Sequence, residues 1–263
     1  MLQVINPIVI GGAVALAIFV GVIVFLMLGR RIGLRAIARD GIAGTPNISS
    51  LEAAVFGLLG LLIAFTFSGA LSRFDVRRAQ AVDEANAIGT AYLRIDLLPP
   101  SAQPALREAF RNYVDARIAT YRKLSDIEAA TRELLRSQQL QGEIWAQAVA
   151  GVRLPESRPE SELLLLPALN QMFDITTVRV TATQMHPPLI IYGMLIGLAF
   201  VSALLAGYQS AGEKGYDWVH KIGFAAIVSI TVYVILDIEY PRLGFVRLDA
   251  IDQVLVNARA AMK

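Results

Sequence analysis

The sequence predicts an all-α fold: a polytopic membrane protein with four transmembrane helices and a helical extramembrane domain inserted between helices two and three. Three observations predict it. Of the 263 residues, 55% are hydrophobic and only 17% are charged, whereas soluble proteins carry about 25% charged residues; the mean hydropathy is +0.53. The charge is also segregated, with 14 of the 24 Lys/Arg and 14 of the 22 Asp/Glu lying between Arg73 and His186. Outside that stretch the chain is mostly apolar, in four segments on the scale needed to cross a hydrocarbon layer of about 30 Å at about 1.5 Å per residue.

Ile8–Gly29 has no charged side chain and reads as the first spanning helix. A cleaved signal peptide would need basic residues before its core, and here the cations follow it. Ala53–Ser72, uncharged between Glu52 and Arg73, is the second span. Pro187–Ala211 is the third. Ile222–Leu236 is the fourth; it is shorter, flanked by Lys221, Asp237 and Glu239, with Tyr216, Trp218, Tyr233 and Tyr240 as interfacial anchors. Arg30, Arg31, Arg35 and Arg39 follow the first helix and no side-chain cation precedes it. This asymmetry predicts a cytoplasmic Arg30–Ser50 loop and an external middle domain.

No proline occurs between Pro46 and Pro99, so the second helix is free to run from its Ser49/Glu52 capping box into the middle domain. There Ala81, Ala85, Ile88, Tyr92 and Ile95 recur at helical spacing, a narrow apolar seam for one partner helix. Pro99-Pro100 stops it. Ala105–Leu124 and Asp126–Val152 follow as amphipathic helices, the latter preceded by a second capping pair, Ser125 and Glu128; Arg153–Pro159 is a turn. The chain is helical again from Glu160, and Pro187-Pro188 predicts a kink or short break before the third span. Tyr240-Pro241 ends the fourth, and Asp249–Met262 reads as a terminal helix. The organisation is thus 1–72 first membrane hairpin, 73–186 helical domain, 187–238 second hairpin and 239–263 tail.

Chemistry is thinly represented. Zero cysteines exclude disulfides, thiolate nucleophiles and Cys-based metal sites. A net charge of +2 spread along the chain offers no clustered basic patch for nucleic acid. There is no zinc-protease, nucleophile-elbow, phosphate-loop or dinucleotide motif, and His186 and His220 stand alone at span boundaries. The expectation is no catalytic residue, no metal and no cofactor. The bilayer and further copies of the chain are the expected partners.

The candidate residues are therefore helix faces. Phe56, Ile63 and Phe67 form a bulky row on the second helix, able to gate a pore by dewetting. Ser229, Tyr233 and Asp237, at i, i+4 and i+8, make a polar row on the fourth; Asp237, Glu239, Tyr240 and Arg242 cluster at its end, where an ionisable group needs a partner. Gly57, Gly60 and Ala64, with Gly193 and Gly197 continued at the same spacing by Ala203 and Gly207, are candidate helix-contact faces, because small residues permit close approach. Glu84, Asn86, Thr90 and Arg94 set polar groups beside the Ala81–Ile95 seam as a candidate hydrogen-bond and ion-pair network.

Leu51–Pro99, above all the run EANAIGTAYLRIDLLP from Glu84, and LDIEYPRLGFVRLD from Leu236 resemble the bacterial bestrophin-like membrane proteins. That resemblance implies four membrane helices with an intervening helical domain, placement in the bacterial inner membrane, and distant similarity to anion channels that form rings around a pore lined by the second helix. It brings no catalytic residue. Two functions follow: an oligomeric ion channel or pore, or a non-transporting scaffold or sensor presenting a helical interaction domain.

Overall fold

The structure, a computed structural model, describes residues 7–44, 48–124, 126–212, 218–241, 245–246 and 249–262. Ser125, Tyr216, Arg242 and Arg247 lie outside the described residues. Among those described, every long regular element is helical: α1 (Pro7–Gly44), α2 (Ser49–Leu93), α3 (Gln103–Arg122), α4 (Ile127–Val152), α5 (Pro159–Gln184), α6 (Leu189–Gln209), α7 (Trp218–Glu239) and α8 (Asp249–Ala260). Four helical stretches are long and apolar enough to cross a membrane.

The longest helix is α2. With no proline to remove a backbone donor, it continues without interruption for 45 residues and ends in a single 3-10 turn, Arg94–Leu97, ahead of Pro99-Pro100. Between α5 and α6, Met185–Pro188 is extended, as two successive prolines require. Two details differ from the sequence reading. The Arg30–Ser50 stretch is not a loop at its start: α1 continues into it as far as Gly44, since Arg and Ala favour helix, with its helical backbone interrupted at Gly41, at φ 73°. At the start of α4 the capping residue is Asp126, whose Oδ1 accepts from the Ala129 amide at 3.0 Å.

The chain folds into two compact units. The first comprises Met1–Phe74 and His186–Val246. In it α1 packs on α6 and α7, around Ile18, Val22, Leu26, Leu195, Ala199, Ala203, Ala225, Val228 and Val232. The α1–α6 approach is backbone to backbone. A Cβ on Gly29 would lie 1.9 Å from the Leu204 carbonyl oxygen, and one on Gly207 2.1 Å from that of Leu26; only glycine fits there.

The second unit comprises Asp75–Met185 and Arg247–Lys263. Here α3 packs on α4 and α8, and α4 on α5. The α2 seam Ala81, Ala85, Ile88, Tyr92 and Ile95 is wholly buried, Ala85 through Ile95 sharing one core with Leu106, Phe110, Tyr113, Ile144, Leu165, Leu169 and Met172. Leu255 of α8 is fully buried in the same core. Burying such side chains stabilises by about 1.5–3 kcal/mol each.

Candidate functional site

In the first unit, the question is which faces of α2 remain bare. Its inner side is covered: Leu59 and Ala70 are buried, with Leu62, Ile63 and Phe74 packed against the same core. Phe56 meets Phe224 of α7 edge to face, centroids 5.4 Å apart. The expected bulky row is therefore divided, with Phe56 and Ile63 half-buried against neighbours and Phe67 exposed. The small residues Gly57, Gly60, Ala64 and Ser68 are exposed, as are Leu58, Leu61, Phe65 and Leu71. A Cβ on Gly57 or Gly60, or on Gly193 or Gly197 of α6, would meet nothing within 4 Å. The close approach within the chain is made by Gly207, which the spacing placed on the contact face of the third span, and by Gly29 and Gly33, which sequence reasoning passed over although their four-residue spacing was the available signal.

The α7 row lies inside this unit. Ser229 is buried and donates to the Ala225 carbonyl at 2.7 Å. The Tyr233 ring lies edge-on to Phe245, centroids 6.3 Å apart. Asp237 is buried, and its Oδ2 accepts the amides of Phe245 at 3.1 Å and Val246 at 2.9 Å, so it folds the segment after α7 back onto the helix. Two residues on, the fully buried Glu239 accepts from Arg73 of α2 (Nε to Oε2 2.9 Å, Nη2 to Oε2 2.6 Å), and His186 Nδ1 lies 3.0 Å from its Oε1. The imidazole also stacks on Tyr240 at 4.3 Å. Glu239 thus ties the middle of α2 and the entry to α6 to the end of α7. A carboxylate in this setting needs its charge matched. Sequence spacing pointed to the acidic cluster but not to Arg73, 166 residues away. An apolar cleft of about 260 Å³ lies between α2 and α6, lined by Leu62, Phe65, Gly69, Ile191 and Met194, with Arg73 at its edge.

In the second unit the four network candidates separate. Glu84 is fully buried and bridges two arginines: Arg117 Nε to Oε1 at 2.6 Å and Arg179 Nη1 to Oε2 at 2.5 Å. Arg117 Nη2 also donates to the Tyr121 hydroxyl, and Arg179 continues to Asp252 of α8 at 2.6 Å. Two carboxylates and two guanidiniums leave this core cluster neutral. Burial, followed by the Glu84 charge, pushes the Tyr121 phenol up. Burial does the same to Tyr113, which lies 2.8 Å from Thr176 Oγ1. Arg94 instead donates to the Leu164 carbonyl at 2.6 Å. Asn86 and Thr90 are exposed and line an open groove with Asp83, Asn170, Gln171 and Asp174. Arg77, buried, donates to the Ala182 and Met185 carbonyls at 3.1 and 3.0 Å, satisfying the open end of α5.

Among the described residues no group of three or more His, Asp or Glu is placed to hold a metal. What the geometry offers is faces and fixed charges: a bare helix face on α2, and buried carboxylates that lock helices together.

Residues 13–250 match the family model of the Bestrophin-like domain. No curated protein matches the sequence. Among solved structures, the chain is similar to a bacterial bestrophin homolog from Klebsiella pneumoniae carrying a tryptophan-to-alanine mutation, at a TM-score of 0.62 and 14% identity, over 94% of this chain and 98% of that one. A tyrosine-to-alanine form of that homolog gives a TM-score of 0.60 at 15% identity, over 92% and 98%. At this identity the likeness is one of fold.

Proposed function

We propose that this chain, which belongs to the Bestrophin-like family, is a membrane protein that forms a homo-oligomeric ion-conducting pore with α2 nearest the symmetry axis and the 75–185 unit outside the bilayer. One observation carries the reading: α2 is covered by its own chain on one side only and leaves a long face bare. In a bundle, a bare face of glycine, alanine and serine beside bulky apolar residues either meets another copy or borders a water-filled path.

Within that face we assign the constriction to Phe67 with Leu71, exposed at 38% and 40%, and the wider ground beside them to Gly60 and Ala64. Phe56 and Ile63, half-buried against the rest of the unit, support the wall. Ser229, Tyr233 and Asp237 hold α7 and the segment after it in place. A collar of Phe67 and Leu71 passes ions only when wetted, so smaller or polar side chains there raise conductance.

The test is recording from the purified full-length chain in planar bilayers, wild type against Phe67→Ala, with Leu163→Ala, an exposed change far along the sequence on α5, as control. Larger single-channel currents in Phe67→Ala alone support the assignment. Equal currents in all three keep a pore but remove Phe67 from its lining. No current from well-folded wild-type oligomers under several ions and voltages overturns the pore and leaves the scaffold function.

A further inference from the structure

We propose that α1 carries a binding surface for anionic phospholipid headgroups, gripped by Arg31 and Arg35. Ile18, Val22, Leu26, Gly29 and Gly33 are buried, and Gly29 and Gly33 face α6. At 100° per residue the opposite side of α1 carries Val20, Val24, Met27 and Leu28, then Arg31, Arg35 and Arg39. All seven are exposed. One outward face therefore runs from an apolar ridge straight into a line of guanidiniums.

The register along the helix fits a headgroup layer. Ile8–Gly29 is about 33 Å long, enough for the hydrocarbon core, and Arg31 follows two residues later with Arg35 one turn beyond. Arginine at such a boundary can lay its aliphatic stem on apolar surface and extend its charged head to the headgroup layer. Neither Arg31 nor Arg35 has an acidic partner among the described residues, whereas Arg39 is already held by Asp40 at 2.9 Å. Arg31 and Arg35 thus offer two uncompensated charges about 6 Å apart along the axis. A guanidinium pairs with phosphate through a planar fork of donors. A ridge that accepts acyl chains, continuous with two such forks, fits a phospholipid with net negative charge better than a free anion, which would leave the ridge unused.

The measurement is native mass spectrometry of the detergent-solubilised full chain, titrated with phosphatidylglycerol, phosphatidylcholine or inorganic phosphate. A basic residue near an anionic surface changes affinity about fivefold. Arg31→Gln/Arg35→Gln is therefore expected to weaken phosphatidylglycerol binding roughly 25-fold, with phosphatidylcholine binding unchanged. Arg31→Lys/Arg35→Lys is expected to keep most of the preference, which separates lost charge from lost fold. Equal binding of the two lipids by wild type, or unchanged phosphatidylglycerol binding in the Gln pair, overturns the proposal. So does full competition by inorganic phosphate at the lipid's concentration, which would mark a free-anion site. If the Gln pair instead lowers the oligomer mass and leaves lipid binding alone, the face belongs to another copy of the chain and the proposal fails.

Discussion

Replacing Gly207 by alanine adds one methyl group where α6 meets α1 through backbone atoms, and the structure fixes what that methyl must do. The new carbon would lie 2.1 Å from the Leu26 carbonyl oxygen, while carbon–oxygen contacts settle near about 3.3 Å. The helices must therefore part by about 1.2 Å. A gap of about 0.5–1 Å already forfeits a quarter to a half of each dispersion contact it opens. Between lipid-embedded helices there is no hydrophobic term to compensate, because lipid is as apolar as the partner helix. Overpacking of this size costs about 1–3 kcal/mol. Alanine also returns up to about 1 kcal/mol of helix propensity relative to glycine, so a second glycine on the same helix serves as reference. Gly193→Ala meets nothing within 4 Å and keeps the propensity gain alone. The two variants should differ by about 1–3 kcal/mol, or roughly 2–12 °C in Tm, with Gly207→Ala the lower. Thermal unfolding in one detergent, followed by the fluorescence of the tryptophans, reads the difference. Equal transitions for the two variants would refute the close α1–α6 approach.

Two further outcomes follow from the second unit. Glu84→Gln leaves the buried Arg117 and Arg179 without their shared counter-charge and should destabilise by about 3–5 kcal/mol; denaturant unfolding of the full chain that moves by less than about 1 kcal/mol would show the cluster to be solvated. Because burial raises the Tyr121 phenol, the folded state holds this proton more tightly than the unfolded chain, whose phenol titrates near about pH 10. Its stability contribution is complete below about pH 10 and is lost as pH rises toward the folded value. Tyr121→Phe should therefore flatten the alkaline limb of the stability profile, and an unchanged slope above about pH 10 would refute it.

Local signals wrote most of the architecture into the sequence. The proline-free run after Pro46 specified an unbroken α2, Pro187-Pro188 specified the extended break before α6, and the spacing from Ala81 to Ile95 specified a face that is buried. Each of these is a property of neighbouring residues. What escaped reading depends on partners distant in the chain. Glu84 stood out as a polar residue beside an apolar seam, but its arginines are 33 and 95 residues away, and no periodicity links them. The small-residue spacing at Gly193 and Gly197 is the same as at Gly29 and Gly33, yet only the second pair faces a close neighbour within the chain. Spacing tells which residues share a face, and not what that face meets. For the same reason Phe56, Ile63 and Phe67 read as one row, although α7 reaches Phe56 and leaves Phe67 bare.

The second unit is built from segments that are made at different times. Its core includes Leu255, and α8 is tied on by Asp252 to Arg179 and by Arg259 to Asp115 at 2.9 Å. Between Met185 and Arg247 in the chain lie α6 and α7, two of the four helices apolar enough to cross a bilayer. During synthesis those helices emerge before α8 exists. Until then the domain has an open slot where Leu255 belongs, and Arg179 reaches Glu84 but not its second carboxylate. Completion of this domain is therefore a late event in biogenesis, and a ribosome that stalls just after α7 leaves a chain with its apolar helices made and its domain unsealed.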